Sequence, residues 1–355
     1  MSKILVTGAG GYIGTTLVPM LLERGFKVCA VDRYFFGKQL LAPHPHLELI
    51  KEDVRHLTPA HFKGIGAVID LAAVSNDPSG ELFQDATWQI NHQARANAAR
   101  LAKQAGVLRY ILPSSCSLYG FQAEGVVADE STPTNPLTTY AKANEAAEKD
   151  VLPLNDKNFT TVVLRQATVY GFSPRMRFDV AINGMTYGAW KTKTIPLMRD
   201  GTQWRPFVHV RDTASAMIFM LTADPSEVGG QIFNVGSEAN VYQIKPLAER
   251  VVQCMPFDVK IEWYGDPDHR SYCVSFGKIE KLGWRATRTV EDGVKEIVEA
   301  LSGGKIDKTA ETLTLEWYKT LRHWQEMIRE VELYGGILDI EEDQAARPAL
   351  RKVGS

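Results

Sequence analysis

The run Gly8-Ala9-Gly10-Gly11-Tyr12-Ile13-Gly14 has the first spacing that points to chemistry. Glycines at positions 8, 11 and 14 let the backbone turn tightly and approach a ligand that side chains would hold off. The β-rich run 4–7 precedes the loop and an apolar-periodic stretch, 12–24, follows it. The loop therefore opens a helix whose free N–H groups and positive dipole end suit a pyrophosphate. Asp32, 18 positions after Gly14, closes the next strand-like run, 28–32. A carboxylate there accepts hydrogen bonds from adenosine ribose hydroxyls and repels a 2′-phosphate, which favours NAD over NADP. Arg33, next to it, argues the other way. The histidines show no ligand spacing: His44-Pro45-His46 reads as a solvated turn and His209 as structural, so no metal is expected.

The elements that must position this loop are legible around it. Runs 4–7, 28–32, 47–50, 67–71, 110–112 and 161–164 read as strands, and 12–24, 85–104 and 139–151 as helices. Apolar strands without alternation, separated by helices, indicate a parallel sheet covered on both faces. The fold class that follows is α/β: a doubly wound parallel Rossmann sheet with a smaller C-terminal substrate-binding domain. We expect an NAD-binding domain over 1–170, with strands returning from about 205–236, and a substrate domain over 171–311. Residues 171–203 read as loops with short helices, 231–235 as a strand and 244–254 as a helix. A helix over about 312–340 and a mobile polar tail over 341–355 complete the chain.

Composition narrows the function classes. The chain has 355 residues, 45% apolar and 23% charged, with a net charge of −2. Nothing in that balance favours a nucleic-acid or membrane-surface partner. Four cysteines without a close pair fit reduced thiols better than a disulfide framework. With neither a signal-peptide pattern nor an apolar run of about 18 residues, the expected location is the cytoplasm.

In combination, these motifs resemble the extended short-chain dehydrogenase/reductase family of nucleotide-sugar epimerases, dehydratases and reductases. Gly8, Gly11 and Gly14, with Tyr12 and Ile13, look like its cofactor loop. Asp53-Val54 is similar to its adenine-contacting pair, Leu71-Ala72-Ala73 to the segment passing the phosphates, and Asn91 to an Asn on the central helix. Ser114-Ser115-Cys116-Ser117-Leu118-Tyr119-Gly120 resembles the strand end that carries the catalytic Ser or Thr, here Ser115. The stretch from Glu130 to Pro136 is similar to the lead into the catalytic Tyr, here Tyr140. Leu164-Arg165 with Val169-Tyr170-Gly171 resembles the segment beside the nicotinamide, so Ser114, Ala167 and Val169 join the implied cofactor contacts. The resemblance further implies substrate contacts from Ser75, Ser117, Tyr119, Asn183, Arg205 and Arg270. Forked arginine donors suit a nucleotide's two phosphates, although Arg205 could instead pair with Asp212. The partner implied is a nucleoside-diphosphate sugar, in a homodimer formed through the helices near 85–104 and 139–151.

The resemblance brings a reaction: hydride passes between a sugar carbon and NAD while a phenol or phenolate exchanges the proton. A phenol of pKa about 10 acts as a base near neutrality only beside a positive charge. The family supplies that charge with a Lys four residues after the Tyr. Here the sequence reads Tyr140-Ala141-Lys142-Ala143-Asn144, and Asn144 occupies that position. Lys142 lies about 200° around the helix and points elsewhere. Three readings stay open: a less acidic Tyr140 suited to ketone reduction, compensation by Cys116 or by a Lys from elsewhere in the fold, or a non-catalytic NAD binder. Asn144→Lys is expected to raise oxidation activity at neutral pH. Cys116 and Ser117 also stand where 4,6-dehydratases of this family carry an Asp-Glu pair, which argues against that reaction. Cys116 is thus either an acid/base for epimerisation or a small buried filler. Asp70 replaces the usual His before Leu71. Reduction of a carbonyl compound without a nucleotide is the competing enzymatic reading.

Overall fold

The computed structural model describes residues 3–123, 125–266 and 270–333. The strands β1 (Lys3–Thr7), β2 (Lys27–Asp32), β3 (Leu47–Lys51), β4 (Ile65–Asp70), β5 (Arg109–Ser115) and β6 (Thr160–Gln166) follow one another as the alternation requires. Short strands β7 (Thr168–Tyr170), β8 (Thr194–Met198) and β9 (Trp204–His209) come next, then β10 (Gln231–Val235), β11 (Val241–Gln243) and β12 (Lys260–Tyr264). Seven of these form one sheet in the order β10-β6-β5-β4-β1-β2-β3, and every pairing in it is parallel. All seven residues of β6 are buried, as a strand covered on both faces must be. The order reverses between β1 and β4, and a crevice opens at the carboxyl ends of those strands, where doubly wound sheets bind ligands.

The helices that bear on this crevice are α1 (Gly14–Glu23), α2 (Asp77–Leu82), α3 (Arg95–Gln104), α4 (Thr139–Val151), α5 (Ala181–Thr192) and α6 (Thr314–Leu333). Thr138 caps α4 by accepting the Ala141 N–H at 3.2 Å. The single helix expected over 85–104 is broken. A short turn, Gln84–Thr87, runs into a π-helical segment, Trp88–Ala94, before α3 begins. Segments of this kind often occur at functional sites, and this one ends next to Arg95.

Two further expectations change. Only β10 returns to the main sheet; β9 pairs instead with β7 and β11 in a separate three-stranded sheet. The chain leaves the main sheet at Ala167, so β7 carries β9 away with it. The stretch expected to be loops with short helices contains the 12-residue α5, whose Ile182, Asn183, Met185, Thr186 and Ala189 are buried. The polar and glycine residues on that buried face hid its periodicity. The helix expected near the C-terminus is α6, and the expected mobile tail over 341–355 lies outside the described residues. Among the described residues no helix is long and apolar enough to cross a membrane.

Candidate active site

Gly8 has φ +64°, and a Cβ there would lie 2.7 Å from the Ala72 nitrogen. A Cβ on Gly14 would overlap the Gly8 carbonyl oxygen and lie 2.6 Å from that of Ala9. Only glycine fits either place, and the first turn of α1 is thereby left open to a ligand's phosphates. Asp32 closes β2 beside this loop, its carboxylate accepting the Gly10 N–H at 3.0 Å and the Tyr34 N–H at 2.6 Å. Burial raises its pKa, and those backbone donors oppose the rise. Arg33 lies 3.2 Å from Asp53 and stacks over Phe35 at 4.0 Å, so its charge is engaged with a carboxylate. Burial alone would raise the pKa of Asp53, but the hydrogen bonds and charge of Arg55, with Arg33 adding to them, hold it at about 2. The N-terminus of α1, the Asp32 carboxylate beside it and a cradle closed to any Cβ together fit a dinucleotide.

Ser115 ends β5 and Tyr140 lies in the first turn of α4, and both line the same cleft. Ser115 Oγ also accepts the Ser117 N–H at 3.1 Å. Burial raises the pKa of Tyr140, the nearby Asp77 raises it further, and Arg95, Ser115 and Arg177 oppose. Asn144, 2% exposed, donates to the Tyr140 carbonyl at 2.8 Å and accepts from Arg95 Nη1 at 2.8 Å. The position the family gives to Lys is thus occupied by an amide bonded to a buried guanidinium.

The wall facing this pair is cationic. Arg205 stacks over Tyr272 at 5.1 Å, and Arg270 forms an ion pair with Asp77 across the cleft. Asp212 instead accepts from Thr287 and Arg288. Two more arginines line the cleft. Arg177 binds Asp179 at 2.9 Å and reaches Ser75, while Arg175 lies 3.8 Å over Phe36. Burial, and then the charge of Arg177, lowers the pKa of Arg175 to about 10. Tyr318, Arg322 and Arg329 of α6 line the cleft from above, held by the Trp317 indole N–H donating to the Phe35 carbonyl at 2.9 Å. The cleft is continuous, with a volume of about 1400 Å³.

Of the residues singled out from sequence, Gly8, Gly11, Tyr12, Ile13, Gly14, Asp32, Arg33, Asp53, Val54, Leu71, Ala72, Ala73, Ser75, Ser114, Ser115, Ser117, Tyr140, Asn144, Ala167, Val169, Arg205 and Arg270 all line this cleft. Four lie outside the lining, bonded or buried elsewhere. Cys116 is 1% exposed, its thiol donates to the Arg165 carbonyl at 3.3 Å, and burial drives its pKa far up, so it is core filler. Asn91 exchanges two hydrogen bonds with the Val74 backbone, and the Tyr119 hydroxyl is bound to Asp129 and Asn234. Asn183 accepts from the Gly171 N–H and donates to Tyr12 Oη and the Arg177 carbonyl. Its amide braces the segment above the glycine loop. Arg95, Arg175, Arg177, Asp77 and Asp179 line the cleft without having been anticipated. For Arg95 a signal existed: positions 95, 98, 99 and 102 form one helical stripe, otherwise alanine.

Comparison with known proteins agrees with this geometry. UDP-glucuronate 4-epimerase from Thermodesulfobacterium geofontis is 27% identical over 315 residues, covering 84% of this chain and 95% of that protein. UDP-glucuronic acid decarboxylase 1 from Arabidopsis thaliana is 26% identical over 314 residues, covering 83% and 69% respectively. Among solved structures, MoeE5 in complex with UDP-glucuronic acid and NAD superposes with a TM-score of 0.76 at 26% identity, over 85% of this chain and 99% of that one. The profile of the NAD dependent epimerase/dehydratase family matches residues 4–236, about two thirds of the sequence. The chain belongs to that family of enzymes, whose cofactor is NAD.

Proposed function

We propose that the protein transfers hydride between NAD and a carbon of a nucleoside-diphosphate sugar, as an epimerase or as a reductase of a 4-keto sugar. The carrying observation is the single cleft of about 1400 Å³ that runs from the glycine loop past Ser115 and Tyr140 to Arg205 and Arg270. A site for one small ligand usually occupies about 300–1,000 Å³, so this cleft has room for a dinucleotide and a second nucleotide. When bound, NAD takes hydride from a sugar carbon or returns it to a ketone. Tyr140 holds the proton at its phenol oxygen, and Ser115 bridges it to the substrate oxygen. Arg205 and Arg270 face the diphosphate, a task for which a carbonyl substrate without phosphates would need neither. The relatives named above act on UDP-sugars, so uridine is the first base to test. Elimination across C5–C6 would call for a carboxyl acid beside Ser115. Cys116 faces the core and Ser117 offers a hydroxyl, which supports epimerisation or reduction.

The test is thermal shift of the NAD-loaded protein against a panel of nucleotides and nucleotide sugars, followed by absorbance at 340 nm with the tightest binder. Stabilisation by one nucleotide sugar with transient NADH formation supports the reading. Equal stabilisation by a sugar lacking the nucleotide would overturn it.

We further infer a homodimer, acting in the cytoplasm, assembled on the face of α3 and α4. Leu82 and Trp88 are exposed beside that face, and Asp150 of α4 binds His92 at 3.0 Å across it. Light scattering should give twice 39.5 kDa; the monomer mass would contradict it.

A further inference from the structure

Arg95 is 2% exposed on a helix stripe that otherwise buries Ala98, Ala99 and Ala102. Taking a guanidinium out of water is costly unless its donors are satisfied and its charge is used. Its Nη1 donates to Asn144 Oδ1 at 2.8 Å, and its Nη2 donates to the carbonyls of Asp70, at 2.8 Å, and Pro113. Its Nε is 3.6 Å from the Asp70 carboxylate and has no hydrogen-bond partner among the described residues. That carboxylate is itself taken up by the hydroxyls of Thr7 and Tyr110. Arg95 therefore spans the ends of β4 and β5 and reaches α4 one turn after Tyr140.

We propose that Arg95 is the positioning residue of Tyr140: through Asn144 it fixes the first turn of α4, and it supplies the buried positive charge that a lysine at position 144 would have brought. The substitutions then belong together. Asp70 anchors the guanidinium, Arg95 carries the charge, and Asn144 transmits the contact that a longer side chain would exclude. The other groups facing the phenol are Asp77 of α2, Arg177 of the segment before α5, and Ser115 of β5. Asp77 is engaged by Arg270 and Arg177 by Asp179, so neither varies freely with Arg95.

The inference rests on Tyr140 as the acid–base residue, but its test needs no sugar nucleotide, so it can fail while the proposed function stands. The NAD-loaded protein with [13Cζ]tyrosine is titrated by NMR from pH 7 upward until the signal moves or the protein unfolds, the Tyr140 signal being the one absent in Tyr140→Phe. Arg95→Met combined with Asp70→Asn removes the cation and its counter-ion together and keeps the pocket filled if Arg95→Met alone does not fold. The double variant should ionise about one pH unit higher than the parent, and Arg95→Lys should stay near the parent value. A merely structural Arg95 would lower stability and leave these midpoints unmoved. Equal midpoints in parent and double variant would overturn the proposal.

Discussion

Restoring the family's lysine by Asn144→Lys isolates the reasoning about this site. From sequence alone the substitution should raise oxidation at neutral pH, because it adds the missing charge. The contact of Asn144 with Arg95 argues for the opposite outcome. Asn144 is 2% exposed and its Oδ1 sits 2.8 Å from Arg95 Nη1, so a lysine there sets a second buried cation against the first. Two unit charges about 4 Å apart repel by about 4 kcal/mol at an effective dielectric of about 20. The lost charge-assisted hydrogen bond adds about 1–2 kcal/mol. A total of about 5 kcal/mol is a large part of an ordinary stability of about 5–15 kcal/mol. With an unfolding entropy of about 2.1 cal/mol/K per residue over 355 residues, Tm should fall by about 6–7 °C. The assay is a double-mutant cycle with Arg95→Met, read by thermal denaturation and by turnover of the nucleotide sugar the binding screen selects. Asn144→Lys alone should be less stable and no faster, whereas Arg95→Met/Asn144→Lys should recover both stability and oxidation. Purely additive Tm changes, or a single Asn144→Lys variant as stable as the parent, would refute the account of this contact.

Other perturbations follow from the same geometry. Tyr140→Phe should slow turnover by about 10²–10⁴-fold with the NAD dissociation constant nearly unchanged, measured by steady-state rates and fluorescence titration; unaltered turnover would remove Tyr140 from the chemistry. Gly14→Ala forces a Cβ against the Gly8 and Ala9 carbonyls, so calorimetry should show NAD binding weakened at least tenfold and stability down by about 1–3 kcal/mol. Asp179 has its pKa held at about 2: burial would raise it, but the charge and hydrogen bonds of Arg177 more than offset that. Its folded pKa lies below the unfolded value of about 3.9, so its contribution of about 2 kcal/mol is present above pH 4 and lost as pH falls towards 2. The stability gap between the parent and Asp179→Asn should therefore close over that interval, as acid titration of Tm would show. Truncation after Leu313 removes α6, with the Trp317 bond to Phe35 and the contacts of Tyr318 to Phe36 and Phe83. NADH release followed by stopped-flow fluorescence should then speed up at least tenfold; an unchanged rate would mean α6 does not roof the cofactor.

What the linear sequence determined is what local backbone chemistry controls. A loop that only glycines can trace, a strand closed by Asp32 and apolar runs spaced by helices together specify a doubly wound sheet with a dinucleotide at its switch point. The motif likenesses added Ser115 and Tyr140, which the fold brings into one cleft. Tertiary structure decided which side chains share the cleft, since that depends on contacts between residues far apart in the chain. Arg95 meets Asn144 across 49 residues and Asp70 across 25, contacts on which we base the proposal that the charge absent at position 144 is carried by another helix. By the same route Cys116, the first residue of the tight turn after β5, is turned into the core while Ser115 and Ser117 on either side line the cleft, a choice that packing makes and sequence adjacency does not.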